Sequence, residues 1–196
     1  MKKLFKLLCL VALVATMAGC GDDEFEVFNI FDTTNYEIPT TSDIDKVSES
    51  TFNNNIVGYG WKQTETHEIN PDGSYTREDY WAYMVGGGPA IWEFIPNEMI
   101  SYFWSDAIPA FVFNRQSCSY NENDNIVSID GRPFMRIIHY SDTQIKVVAR
   151  VGVTFDKDKN QNRNVFLYIT LRRLGAEELE KVREKYNQNV NDFSHQ

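Results

Sequence analysis

The chain has 196 residues, with 19 basic residues against 28 acidic ones and a net charge of −9 at pH 7. With no basic stripe to offset it, that balance argues against nucleic acid and anionic lipid headgroups as partners. The length suits one domain with a sizeable core, and 14 % aromatic residues supply the apolar area for it.

The chain opens with Met1-Lys2-Lys3-Leu4-Phe5-Lys6, continues with an apolar run from Leu7 to Ala15, and closes that stretch with Met17-Ala18-Gly19-Cys20. The run is too short to span a bilayer and has the flanks of a secretory signal. A cysteine directly after Ala18-Gly19 resembles the lipobox of bacterial lipoproteins. That resemblance implies cleavage of residues 1–19 and acylation of Cys20, leaving a water-facing domain tethered to a membrane. Cys118 is then the only free thiol, so no disulfide is expected, and its place within a strand predicts a buried, unreactive group.

Behind Cys20 stands Gly21-Asp22-Asp23-Glu24. A similar acidic cluster in lipoproteins of Bacteroidetes-type bacteria accompanies transport to the outer face of the outer membrane; a solvated linker has the same composition. Residues 20–55 read as a tether whose scattered apolar residues, Phe25, Val27, Phe28, Ile30 and Phe31, dock on the domain. Ser42-Asp43-Ile44-Asp45 predicts the cap of a short helix reaching Asn53.

From residue 56 the pattern turns extended. Strands are predicted at 56–69 and 75–85, joined by the turn Asn70-Pro71-Asp72-Gly73. Others follow at 90–95, 99–104, 110–120, 125–129, 134–140, 144–155 and 164–173. In 144–155, Ile145, Val147, Ala149, Val151, Val153 and Phe155 alternate with polar residues, which predicts one continuous buried face. Consecutive strands with short turns and no intervening helix predict an antiparallel meander that closes into an up-and-down barrel of eight or nine strands over 56–174. Residues 175–187 predict a closing helix with Leu179, Val182 and Tyr186 in one stripe, packed outside the barrel, ahead of a polar tail to 196.

Gly58-Tyr59-Gly60-Trp61 at the head of the first strand, the meander, Leu171-Arg172-Arg173-Leu174 at the end of the last strand and the closing helix together resemble the lipocalin-like lipoproteins of Bacteroidetes-type bacteria. The resemblance implies that Trp61 sits at the closed end of the barrel, covered by the guanidinium of Arg172 or Arg173.

Sites of reactive chemistry are not apparent. Glu65 and His67 share a strand face, but two ligands do not make a metal site. The run Asp156 to Asn162 starts like a calcium loop, then lacks the glycine at the sixth position and a glutamate at the twelfth. Gly86-Gly87-Gly88-Pro89 has no lysine or hydroxyl partner for a phosphate and reads as a loop at the barrel mouth. No nucleophile, base and orienting acid fall in a recognisable arrangement, so a non-catalytic protein without cofactor is expected. The aromatic set Trp81, Tyr83, Trp92, Phe94, Tyr102, Trp104 and Phe111 lines a pocket for a small hydrophobic or glycan-like ligand, or else fills the barrel interior. The expected role is a binding protein at the outer membrane, its alternative a structural or protein-interaction lipoprotein with a filled barrel.

Overall fold

The computed structural model describes residues 25–76 and 89–193. The leader, Cys20, the acidic run, residues 77–85 of the predicted strand 75–85 with Trp81 and Tyr83, the Gly86 to Gly88 loop and His195 lie outside the described residues.

Strands β1 (Gly60–Glu68), β2 (Ile91–Ile95), β3 (Glu98–Ser105), β4 (Ala110–Asn121), β5 (Ile126–Ile129), β6 (Arg132–Tyr140), β7 (Gln144–Asp156) and β8 (Gln161–Arg173) each pair antiparallel with their chain neighbours. β8 also pairs with β1, and β3 pairs with β4 from Glu98↔Ser117 to Ser105↔Ala110. Following these ladders from strand to strand returns to the start, so the sheet is a closed eight-stranded antiparallel barrel with no free edge. A ninth short strand, β9 (Gln188–Asn189), lies outside it, parallel to β4 at Val112 and Phe113. The first strand is shorter than predicted because residues 52–56 form a π-helical turn, and β8 starts three residues early because only residues 157–160 form the turn before it.

The barrel interior holds Trp61, Phe94, Met99, Met135, Ile137, Ile145, Val147, Leu167, Ile169 and Leu171, each nearly or wholly buried. One end is plugged. Ser48 caps a single helical turn (Glu49–Thr51) by accepting the Thr51 N–H at 3.1 Å, and the π-helical turn Phe52–Ile56 follows. Phe52 from this plug stacks on Tyr120 at 4.2 Å and meets the edge of Phe94 at 5.8 Å. The helix therefore starts later than Ser42-Asp43 suggested. The Asp45 N–H donates to the Ile138 carbonyl and its carboxylate accepts the Tyr140 N–H, so this stretch is held extended along β6.

The segment ahead of the plug docks through Phe25, Phe28, Ile30 and Phe31, as the outer faces of β6 to β8 are apolar too; Val27, expected to dock with them, is 78 % exposed instead. Phe25, Ile30 and Ile38 pack with Ile138, Val148, Phe166 and Tyr168 outside the barrel, which buries β8 on both faces. The strap is pinned by polar bonds: the Asn164 N–H donates to Ile30 O at 2.7 Å, and Arg136 donates to Ile38 O and Asp124 O. Burial holds the Arg136 pKa below its ordinary value.

Helix α1 (Ala176–Lys185) lies on the opposite wall, with Leu179, Val182 and Tyr186 against Ile91, Ile100, Tyr102 and Leu174. Gly60 sits under this helix: a Cβ there would lie 2.7 Å from Leu179 Cδ1 and 3.1 Å from Leu174 Cδ1. Gly58, at φ +89°, turns the chain from plug to barrel in a conformation that favours glycine. Gly60→Val is expected to destabilise the fold by about 1–3 kcal/mol through overpacking, and Gly60→Ala by less because the leucine tips can shift. Chemical denaturation of the two variants checks this order.

Candidate functional site

Strand parity decides which aromatic residues face the lumen. Trp92 and Phe94 point inward with Trp61. Between them Glu93 points outward, and along β3 Ile100 and Tyr102 do likewise, packing under α1. Trp104 pairs with Phe111 on that same outer face; their rings meet edge to face at 4.8 Å, and Phe111 meets Tyr186 at 5.2 Å. Tyr102, Trp104 and Phe111 therefore belong to the outer wall and do not line the lumen as predicted. Period two separates them from Trp92 and Phe94, and treating the aromatics as one set ignored that parity.

The lumen gains a residue that the sequence pattern concealed. A bulge between Val127 and Ser128 of β5 sets two residues of β6 against one, so Phe134 turns inward beside Met135. Phe134 meets Trp92 edge to face at 5.4 Å. Four strand steps separate β2 from β6 in either direction round the ring, so this contact crosses the full lumen. The half below it, toward the plug, is packed solid by Phe94, Met99, Phe52 and Trp61; Trp61 donates from Nε1 to the Ile56 carbonyl at 3.2 Å. Burial raises the Tyr120 pKa, and its hydroxyl donates to Val47 O at 2.7 Å, which ties plug to wall.

Above the Trp92–Phe134 contact, the inward side carries Ala149, Val165 and Leu167, then a charged rim. Arg163 donates to Glu68 at 2.6 Å and lies 3.7 Å from Asp156, all three on the inward parity of their strands. Among the described residues the interior thus grades from an aromatic floor through small aliphatic walls to polar groups at the end away from the plug.

Another bulge corrects the expected continuous face of β7. Ile145, Val147 and Ala149 are buried inside, but the register shifts between Arg150 and Gly152. Beyond the shift Gly152 takes the inward place opposite Val165, and Val151, Val153 and Phe155 are 43 %, 48 % and 53 % exposed.

The arginine cover is also displaced from its expected position. Arg173 stands 3.2 Å from the centre of the Tyr59 ring at the plugged end, and not over Trp61. The chain turns through Gly58 so that Tyr59, two residues before Trp61, stays half-buried against the interior cluster with one ring face open to Arg173, while Trp61 sinks fully into the core. Arg172 points outward and pairs with Glu178 of α1 at 2.8 Å.

On the outer wall a cavity of about 320 Å³ separates β2 to β4 from the end of α1, bounded by Glu93, Tyr102, Phe113, Arg183 and Tyr186. Glu93 is 1 % exposed; it accepts the Tyr102 hydroxyl at 2.6 Å and a two-pronged bond from Arg183. Burial and the Glu93 hydrogen bond together raise the Tyr102 pKa, and the bond to Glu93 raises that of Arg183. This triad clamps α1 to the barrel. Among the described residues, no three of His, Cys, Asp and Glu gather as a metal-binding group.

No protein-family model and no curated protein matches the chain. Two solved structures are similar to it. A deswapped triple mutant of bovine odorant binding protein is 13 % identical, with a TM-score of 0.32, the match covering 63 % of this chain and 80 % of that one. A complex of bovine odorant binding protein with undecanal is 12 % identical, with a TM-score of 0.31 and coverage of 67 % and 83 %.

Arg183→Ala is expected to cost about 2 kcal/mol of stability, less than the roughly 3–5 kcal/mol of a wholly buried pair because Arg183 retains contact with water. Denaturant unfolding measures it; restoring the loss with Glu93→Gln in the same chain identifies the unpaired carboxylate as the cause.

Burial pushes the Cys118 thiol up to about 11. A thiol raised in the folded state contributes stability below its unfolded pKa and loses it as pH climbs toward 11, so folding should weaken between about pH 9 and 11. Alkylation of the native protein by iodoacetamide should stay slow at pH 8 and accelerate across that window, whereas urea-unfolded chain reacts readily near pH 9.

Proposed function

We propose that this chain is an exported, lipid-anchored, non-catalytic binding protein that takes a small hydrophobic ligand in the open half of its barrel. The observation that carries this reading is the asymmetry of the lumen: an aromatic floor at Trp92 and Phe134, aliphatic walls at Ala149, Val165 and Leu167, and the Glu68–Arg163 pair at the rim. An apolar enclosure with few convergent polar groups is the usual form of a small-molecule site. The anchor rests on the lipobox-like Met17-Ala18-Gly19-Cys20.

The floor limits the ligand to the space above it. A filled barrel acting through its outer wall is the second reading, favoured by the same ring contact across the lumen.

An apolar fluorescent probe such as N-phenyl-1-naphthylamine separates the two. Saturable binding is expected, weakened at least tenfold by Leu167→Trp, which fills the upper lumen, and strengthened by Phe134→Ala, which lowers the floor. Trp104→Ala, on the outer wall, should leave it unchanged. Absence of saturable binding, or equal response to the inner and outer substitutions, would favour the filled barrel.

A further inference from the structure

Two hairpins project beyond the barrel wall at the open end. The β7–β8 hairpin outruns its neighbours, since pairing with β6 stops at Ala149 and pairing with β1 stops at Leu167. The β3–β4 hairpin outruns β2, whose pairing stops at Tyr102. In the ring order β3-β2-β1-β8-β7-β6-β5-β4 these two hairpins stand on opposite sides of the mouth.

Both carry apolar side chains in water. Val151, Val153 and Phe155 are 43 %, 48 % and 53 % exposed on one hairpin; on the other, Phe103, on the inward parity of β3, and Phe111, whose remaining surface packs on Trp104 and Tyr186, are each 36 % exposed. Among the described residues, no large hydrophobic side chain is comparably exposed on the turns at the plugged end. Exposed apolar residues confined to one rim mark a surface with a partner.

The strap indicates which partner. The Phe25 N–H donates to Gly73 O at 3.1 Å, and Gly73 leaves no room for a Cβ, which would fall 2.0 Å from Phe25 O. That turn follows the last residues of β1, so the strap begins at the open end, with Val27 beside it 78 % exposed. Cys20 stands five residues before Phe25. Fully extended, five residues reach at most about 18 Å. An acylated Cys20 would hold the open rim, and not the plug, close to the bilayer.

We propose that the open end of the barrel seats on the lipid bilayer, with the β3–β4 and β7–β8 tips entering its interface. This rests on the anchored reading above. The turn Asp156 to Asn160 at the end of β7–β8 is charged and suits the headgroup layer, while Val153 and Phe155 just behind it, and Phe103 and Phe111 on β3–β4, suit the boundary with the acyl chains; the acidic net charge makes zwitterionic lipid the fitting surface. The mouth then opens toward the phase in which a hydrophobic ligand dissolves.

The test uses the acylated protein from cells expressing the full chain, in a Cys118→Ala background, with a single nitrobenzoxadiazole label. Ala107→Cys and Phe155→Cys report the two tips, and Thr143→Cys reports the plugged end. Reconstituted in phosphatidylcholine vesicles containing doxyl-labelled lipid, the labels at 107 and 155 should each be quenched at least threefold more than the label at 143. Equal quenching at all three, stronger quenching at 143, or quenching at only one tip overturns the proposal. Intact mass, recorded first, tests the anchor separately. A chain without acyl mass overturns the anchored reading and this one with it, whereas an acylated chain with the wrong pattern overturns only the orientation. Probe binding in detergent, measured on the same samples, reports the lumen independently of either result.

Discussion

Pairing of β3 with β4 over eight registered positions is the interaction from which the remaining architecture follows. Without it the strands would form an open sheet with two edges and two equivalent faces. With it every strand acquires an inside and an outside, and one residue of register decides whether a side chain joins the core or the outer wall. The Gly58 turn, the plug at Phe52 and the helix over Gly60 all presuppose a closed ring with an end to cap and a wall to lean on.

The barrel itself was legible in the chain because its signals are local: alternation at Val165, Leu167, Ile169 and Leu171, and turn chemistry between strands. What was not legible depends on partners across the sheet. The β7 alternation runs unbroken from Ile145 to Phe155, yet a bulge opposite Val165 divides it into a buried half and an exposed one. A second bulge brings Phe134 into the lumen, and nothing beside Phe134 in the chain announces it. Bulges belong to a pair of strands, so a pattern read along one strand misses them. The same limit explains Glu93, which looks like any surface carboxylate until Tyr102 and Arg183, nine and ninety positions away, close over it.

The candidate site was legible only in part. Trp92 and Phe94 were placed inside, whereas Tyr102, Trp104 and Phe111 belong to the wall that carries the C-terminal helix. Two aromatic assemblies share one stretch of chain: one floors the lumen, and the other fastens the helix. The cation–π contact followed the same logic at smaller scale, moving from Trp61 to Tyr59 because a single left-handed glycine separates plug from barrel.

The double burial of β8 also bears on the order of assembly. Ile30 and Asp32 bond to Asn164, across 132 positions in the case of Asp32, so the earliest part of the chain has no surface to settle on until nearly the last strand exists. Contacts of such long sequence separation slow folding. The strap of this chain therefore settles last, after the wall beneath it has formed.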